Sequence, residues 1–207
     1  MYKTTPTNTK RHSNFVFFSV VLLFISLVVI SLNNIAIAQT RVPAEVELVG
    51  VSLAKATRAE LRSALNKQKI PAIREEDRYW YDEYKAASLL DEADQLLVGY
   101  VDATGKFAEA IYRLPSSIDT AQVQRAISLV SLKYGNPQSS SGSISLGNVK
   151  ATWQRGPIQI IVERGWPNTT TRIYLRHTAN YAAMQAELAR QDDENKRKAA
   201  EKQSRAF

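Results

Sequence analysis

The chain has 207 residues, 44% hydrophobic and 23% charged, with 27 Lys and Arg against 20 Asp and Glu for a formal charge of +7. That balance excludes a wholly disordered chain. The absence of cysteine excludes a disulfide scaffold, a Cys-ligated zinc site, a thiol nucleophile and a lipid-modified cysteine, and two histidines, His12 and His177, leave most metal and general-base chemistry without its usual parts.

Residues 1–14 carry Lys3, Lys10 and Arg11 and no acid, and Phe15 to Leu32 is apolar except for Ser19, Ser26 and Ser31. Ala36-Ile37-Ala38 then places small residues where a signal peptidase reads them. Positive start, apolar middle and A-x-A end predict a secretory signal over 1–38 and a mature start at Gln39. The alternative is an uncleaved anchor, because an apolar run of this length approaches the roughly 17–25 residues that span a bilayer. In both readings 39–207 lies outside the cytoplasm, periplasmic or secreted. Export removes three bases and no acid, leaving +4 on 39–207, and argues against nucleic acid as a partner.

Thr57-Arg-Ala-Glu60 is a capping box and predicts a short helix over 57–67, with Leu61, Ala64 and Leu65 on one face and Pro71 beyond its end. Strands are predicted at Tyr79–Tyr84, Leu96–Val101 and Lys106–Leu114, the last two joined by a turn at Asp102-Ala-Thr-Gly105. A second helix starts from Asp119, carries Val123, Ile127, Val130 and Tyr134 at helical spacing, and stops at Gly135 and Pro137. The serine-rich run Gln138–Ser145 reads as a flexible loop. Strands at Val149–Gln154, Ile158–Arg164 and Thr171–His177 follow, the last two joined through Gly165-Trp-Pro-Asn168. Each half therefore reads helix–strand–strand–strand, with boundaries at 39–116 and 117–178. The fold class is α+β, with helices on one face of an antiparallel sheet. Residues 179–207 predict a C-terminal helix docked through Tyr181, Met184 and Leu188 and solvated beyond Arg190.

A helix ending in Lys133-Tyr-Gly-Asn-Pro137 and followed by three antiparallel strands resembles the small exported modules of the BamE/SmpA type. Tandem copies of a similar helix-plus-sheet unit occur in the β-lactamase inhibitor protein. The resemblance covers about residues 45–177. It implies a binding or scaffolding module of the bacterial envelope and carries over no functional residue. BamE-like proteins usually have a lipoprotein cysteine, which this chain lacks.

Charge is divided unevenly: 39–116 holds 11 bases and 13 acids, whereas 117–178 holds 7 bases and 2 acids. Within the basic half, strand alternation sets Arg172, Tyr174 and Arg176 on one side and Ile173 and Leu175 on the other. Lys150 joins the polar side from a neighbouring strand, and Trp166 sits at a hairpin tip. If helices cover the apolar side, this surface suits an anionic or protein partner, such as an envelope protein, an anionic glycan or a lipid. The alternative is a solvated sheet face with cross-strand pairs such as Arg172 opposite Glu163. A second candidate is Arg74–Tyr84, where Tyr79, Trp80, Tyr81 and Tyr84 are interleaved with acids; it reads as a partner anchor or as an amphipathic edge strand.

Catalytic patterns are thin. Gly142-Ser-Ile-Ser-Leu-Gly147 is not a Gly-x-Ser-x-Gly elbow, no calcium loop or phosphate-cradling glycine loop appears, and His177 is the only histidine of the exported part. The expectation is a non-enzymatic module without a cofactor. A small hydrolase using Glu163, His177 or the acids of 75–94, and a tethered structural protein retaining residues 15–32, are the alternatives.

Overall fold

Thr57 opens the first helix as its capping box requires. Its hydroxyl accepts the Glu60 N–H at 3.4 Å, and the Glu60 carboxylate accepts the Thr57 N–H at 2.9 Å. A computed structural model describes residues 45–116, 118–165, 169–205 and 207. Helix α1 spans Arg58–Lys67 and buries Leu61 and Leu65; α2 spans Ala121–Tyr134 and α3 spans Thr178–Ser204. A small hairpin of β1 (Glu47–Leu48) and β2 (Val51–Ser52) precedes α1.

Between α1 and α2 run β3 (Ala72–Arg74), β4 (Tyr81–Lys85), β5 (Gln95–Tyr100) and β6 (Phe107–Pro115). Between α2 and α3 run β7 (Ser139–Ser143), β8 (Asn148–Arg155), β9 (Ile158–Arg164) and β10 (Thr170–His177). These eight strands form one antiparallel sheet in the order β3-β4-β5-β6-β10-β9-β8-β7. The protein is thus an α+β fold with a large antiparallel sheet and a C-terminal helix. Each half contributes a helix followed by four strands, and pairing of β6 with β10 joins them at the centre.

Strand alternation places the core. Leu96, Val98, Ala110, Trp153, Ile160 and Val162 lie on one face and pack in a single cluster with Leu61 and Leu65 of α1 and Val123, Ala126 and Val130 of α2. Covering one face of a sheet with amphipathic helices removes the apolar side from water at about 25 cal/mol per Å². Two polar ties fix the helices. Arg62 of α1 binds fully buried Asp82 of β4 through two bonds of 2.7 and 2.8 Å. Trp153 Nε1 donates to the Gly135 carbonyl at 2.8 Å, at the end of α2, where Gly135 takes a φ of +76°.

Four expectations change. Gln138–Ser145 is not a loop: 139–143 is β7, an edge strand that pairs with β8 through its backbone. The strand expected from Tyr79 starts at Tyr81, leaving Tyr79 and Trp80 in the preceding turn. The cap position of α2 is Thr120 rather than Asp119, although the Asp119 carboxylate still accepts the Ala121 N–H at 2.9 Å. Each half holds four strands, not three, because β3 was too short and β7 too polar to show alternation.

Among the described residues no helix is long and apolar enough to cross a membrane. The signal or anchor at 1–38, and Trp166 with its hairpin tip, lie outside the described residues.

Candidate binding surface

The face opposite α1 and α2 is organised as three rows running across the strands. One row aligns Tyr81, Gly99, Glu109 and Arg176. The next aligns Leu97, Ile111, Tyr174 and Ile161. The third aligns Gln95, Arg113, Arg172, Glu163 and Lys150. Period-two side-chain direction puts all of them on the same side. The shared face expected for Lys150, Arg172, Tyr174 and Arg176 is therefore present.

Its openness is only partial. Helix α3 turns back from β10 and lies over the first row. His177 caps it, its Nδ1 accepting the Asn180 N–H at 3.3 Å, and Asn180 Nδ2 donates to the Phe107 carbonyl at 2.8 Å. Met184 is fully buried, packed with Val101 and Ala108 and flanked by Tyr181, Leu188, Trp80 and Tyr81. One turn further on, Glu187 accepts the Asp102 N–H at 2.9 Å, and Gln191 accepts the Trp80 indole N–H at 2.9 Å. Positions 180, 184, 187 and 191 share one helix face at the expected spacing. Beyond Gln191 every described residue to Arg205 is exposed, and ion pairs four residues apart, such as Glu194 with Lys198, run along the helix.

Arg176 is thus not a free cation. Its Nε donates to Glu109 Oε2 at 2.7 Å, and its guanidinium lies 4.3 Å from the ring centres of both Tyr174 and Tyr181. Tyr81 closes the network, its hydroxyl donating to Glu109 Oε1 at 2.5 Å. Tyr174 is 9% exposed; burial, with Glu163 beside it, pushes its phenol up to about 12. Arg176 is therefore taken up beneath the chain's own helix, and Tyr174 next to it is buried. Trp80 is likewise half-buried against α3, and Tyr79 lies under the guanidinium of Arg74 at 4.0 Å.

The other two rows are left uncovered by α3. Leu97 and Ile111 are half-buried, and Lys150 and Arg113 are exposed. Arg113 stands directly opposite Arg172 in the β6–β10 register, an arrangement of like charges that costs stability. Asp94 relieves Arg113 through bonds of 2.6 and 3.0 Å. Arg172 makes no hydrogen bond or ion pair among the described residues. Glu163 does face Arg172 in register, but it pairs with Lys150, at 3.7 Å.

The catalytic alternatives are dispersed. His177 is occupied as a helix cap. Ser143 and Ser145 bond each other at 2.9 Å. Among the described residues no group of three or more His, Asp or Glu could hold a metal ion. Sequence reasoning missed Glu109 and Gly99, although both carry a signal: an acid within Phe107-Ala-Glu-Ala-Ile-Tyr112 and a glycine inside the apolar strand β5.

No family model matches the chain, and no curated protein matches it. A solved structure of a DUF4309 family protein, YjgB from Bacillus subtilis subsp. subtilis str. 168, is similar at 12% identity and a TM-score of 0.40, over 64% of this chain and 87% of that one.

Proposed function

We propose that the chain is an exported, non-enzymatic binding module of the bacterial envelope, which docks an anionic macromolecule on the two sheet rows that α3 leaves uncovered. The observation that carries this reading is Arg172: unpaired among the described residues, opposed by Arg113, and set beside the half-buried apolar side chains of Leu97 and Ile111. A fold retains such a local conflict where a ligand relieves it. A carboxylate-, sulfate- or phosphate-bearing partner supplies the counter-charge in bidentate form, and the apolar row gives it a surface to pack on. The basic start, apolar run and Ala36-Ile37-Ala38 of the sequence support export to the periplasm or the medium.

The test is equilibrium binding to a sulfated glycan such as heparin and to vesicles containing phosphatidylglycerol, with neutral dextran and phosphatidylcholine vesicles as controls. The reading expects salt-sensitive binding to one anionic probe, lost in the double variant Lys150→Glu, Arg172→Glu and kept in Arg190→Glu on α3. Binding that is equal across these variants, or to the neutral controls, contradicts it. A mature N-terminus at Gln39 is expected of the exported form, and a retained residue 15 contradicts cleavage.

A further inference from the structure

On the helix-covered side, α2 and the loop 86–94 between β4 and β5 leave a cleft of about 420 Å³. This lies within the range of small-molecule sites. Leu114 and Ile173 of the sheet line it, with Leu89 and Leu90 from the loop and Leu129 from α2. Leu129 is 48% exposed although it stands among these apolar side chains. The cleft lies on the other side of the sheet from the surface discussed above and is independent of it.

Its polar groups select the ligand. Gln122 is 4% exposed, and its Nε2 donates to the Pro115 carbonyl at 3.1 Å. That bond fixes the amide, because turning it would set oxygen against oxygen. Its Oε1 is buried and has no hydrogen-bond partner among the described residues, a state that costs about 1–3 kcal/mol. The Asp91 carboxylate, also in the lining, makes no hydrogen bond or ion pair among the described residues. The one cation of the lining, Arg125, is already paired with two carboxylates: Glu92 accepts from it at 2.9 and 3.1 Å and Asp119 at 2.7 Å. Apolar walls are therefore combined with an unpaired carboxylate, while the other charges of the lining are already paired.

We propose that this cleft binds an organic cation, an apolar or aromatic body carrying a primary amine. The body packs on Leu89, Leu114 and Leu129. The ammonium supplies the counter-charge that Asp91 lacks, its N–H groups donating to that carboxylate. An anion of the same shape meets Asp91 and Glu92 and is rejected; a neutral isostere keeps the packing and loses the charge.

A titration of the purified chain followed by amide NMR tests this with three probes of one shape: phenethylamine, 2-phenylethanol and 3-phenylpropionate. The expected result is saturable shifts confined to residues 88–92 and 122–129 with phenethylamine, binding of the alcohol weaker by about tenfold, and no response to the carboxylate. Asp91→Asn, at an exposed and unpaired position, is expected to fold normally and to weaken the amine to the level of the alcohol. Absence of saturable shifts at these amides, equal binding of the three probes, or an unchanged affinity in Asp91→Asn would each overturn the proposal.

Discussion

Arg176 and Glu109 form a nearly enclosed ion pair beneath α3, with Nε 2.7 Å from Oε2 and a tyrosine ring on either side of the guanidinium. Glu109 is 2% exposed. Removing one partner leaves the other buried and uncompensated, which costs about 3–5 kcal/mol. Arg176→Met is therefore expected to lower unfolding stability by that amount. Glu109→Gln on its own is also destabilising, and the double variant recovers about 0.5–3 kcal/mol of the summed loss. Urea unfolding of the four proteins of this cycle measures it; additive losses would mean that the two groups do not interact.

Alkaline pH is expected to unfold the protein through its tyrosines. Burial is the main cause that holds the phenols of Tyr81, Tyr84, Tyr100, Tyr112 and Tyr174 above their ordinary value, Tyr112 and Tyr174 up to about 12. In the unfolded chain they ionise near 10. Because the folded pKa is the higher, this contribution to stability is complete below pH ~10 and is lost as pH rises toward and through 12. Phenolate absorbance and circular dichroism recorded together check this. One shared transition above pH ~10 is expected; phenolate appearing for these residues with the fold intact would contradict it.

Gly99 determines how closely α3 approaches the sheet. A Cβ at this position would stand 2.6 Å from Tyr81 Cε1 and 3.2 Å from Met184 Sδ. Gly99→Ala must push the ring or the helix aside, at about 1–3 kcal/mol, and Met184→Ala leaves a cavity at about 2–5 kcal/mol. Both are expected to raise amide hydrogen exchange in 178–191 far more than in α1. Uniform exchange changes across the molecule would show that α3 is not the element affected.

The distal half of α3 is expected to be dispensable for folding. Beyond Gln191 it buries nothing among the described residues, and its pairs, such as Asp192 with Lys196, are exposed on both sides. Ending the chain after Gln191 should leave the urea midpoint unchanged. Ending it after His177 uncovers Tyr81, Ala108 and Val101 and should lower the midpoint. A midpoint that falls with the first truncation would assign the distal segment a packing role.

Much of the framework was legible because single residues encode it: Thr57 and Glu60 for the first cap, Gly135 and Pro137 for the second helix end, and alternation for β5, β6, β9 and β10. Strand β7 was not legible. Ser-Ser-Ser-Gly-Ser has no apolar period, and only backbone pairing with β8 makes it a strand. The seating of α3 was not legible either. Three apolar residues at helical spacing show that a helix docks but not where, and the answer lies in Gly99, which provides space, and in the Arg176–Glu109 pair, whose guanidinium Tyr181 of α3 covers. The sharing of one face by Lys150, Arg172, Tyr174 and Arg176 follows from period two alone; the burial of two of them does not.

Site-specific photo-crosslinking in producing cells reads directly whether a macromolecule docks on the uncovered rows. A benzophenone side chain placed at Arg172, on the uncovered rows, is compared with one at exposed Ser63 on α1. A discrete adduct with one envelope macromolecule is expected from position 172, diminished by Lys150→Glu, and none from position 63. No adduct at 172, or the same adducts from both positions, would contradict it.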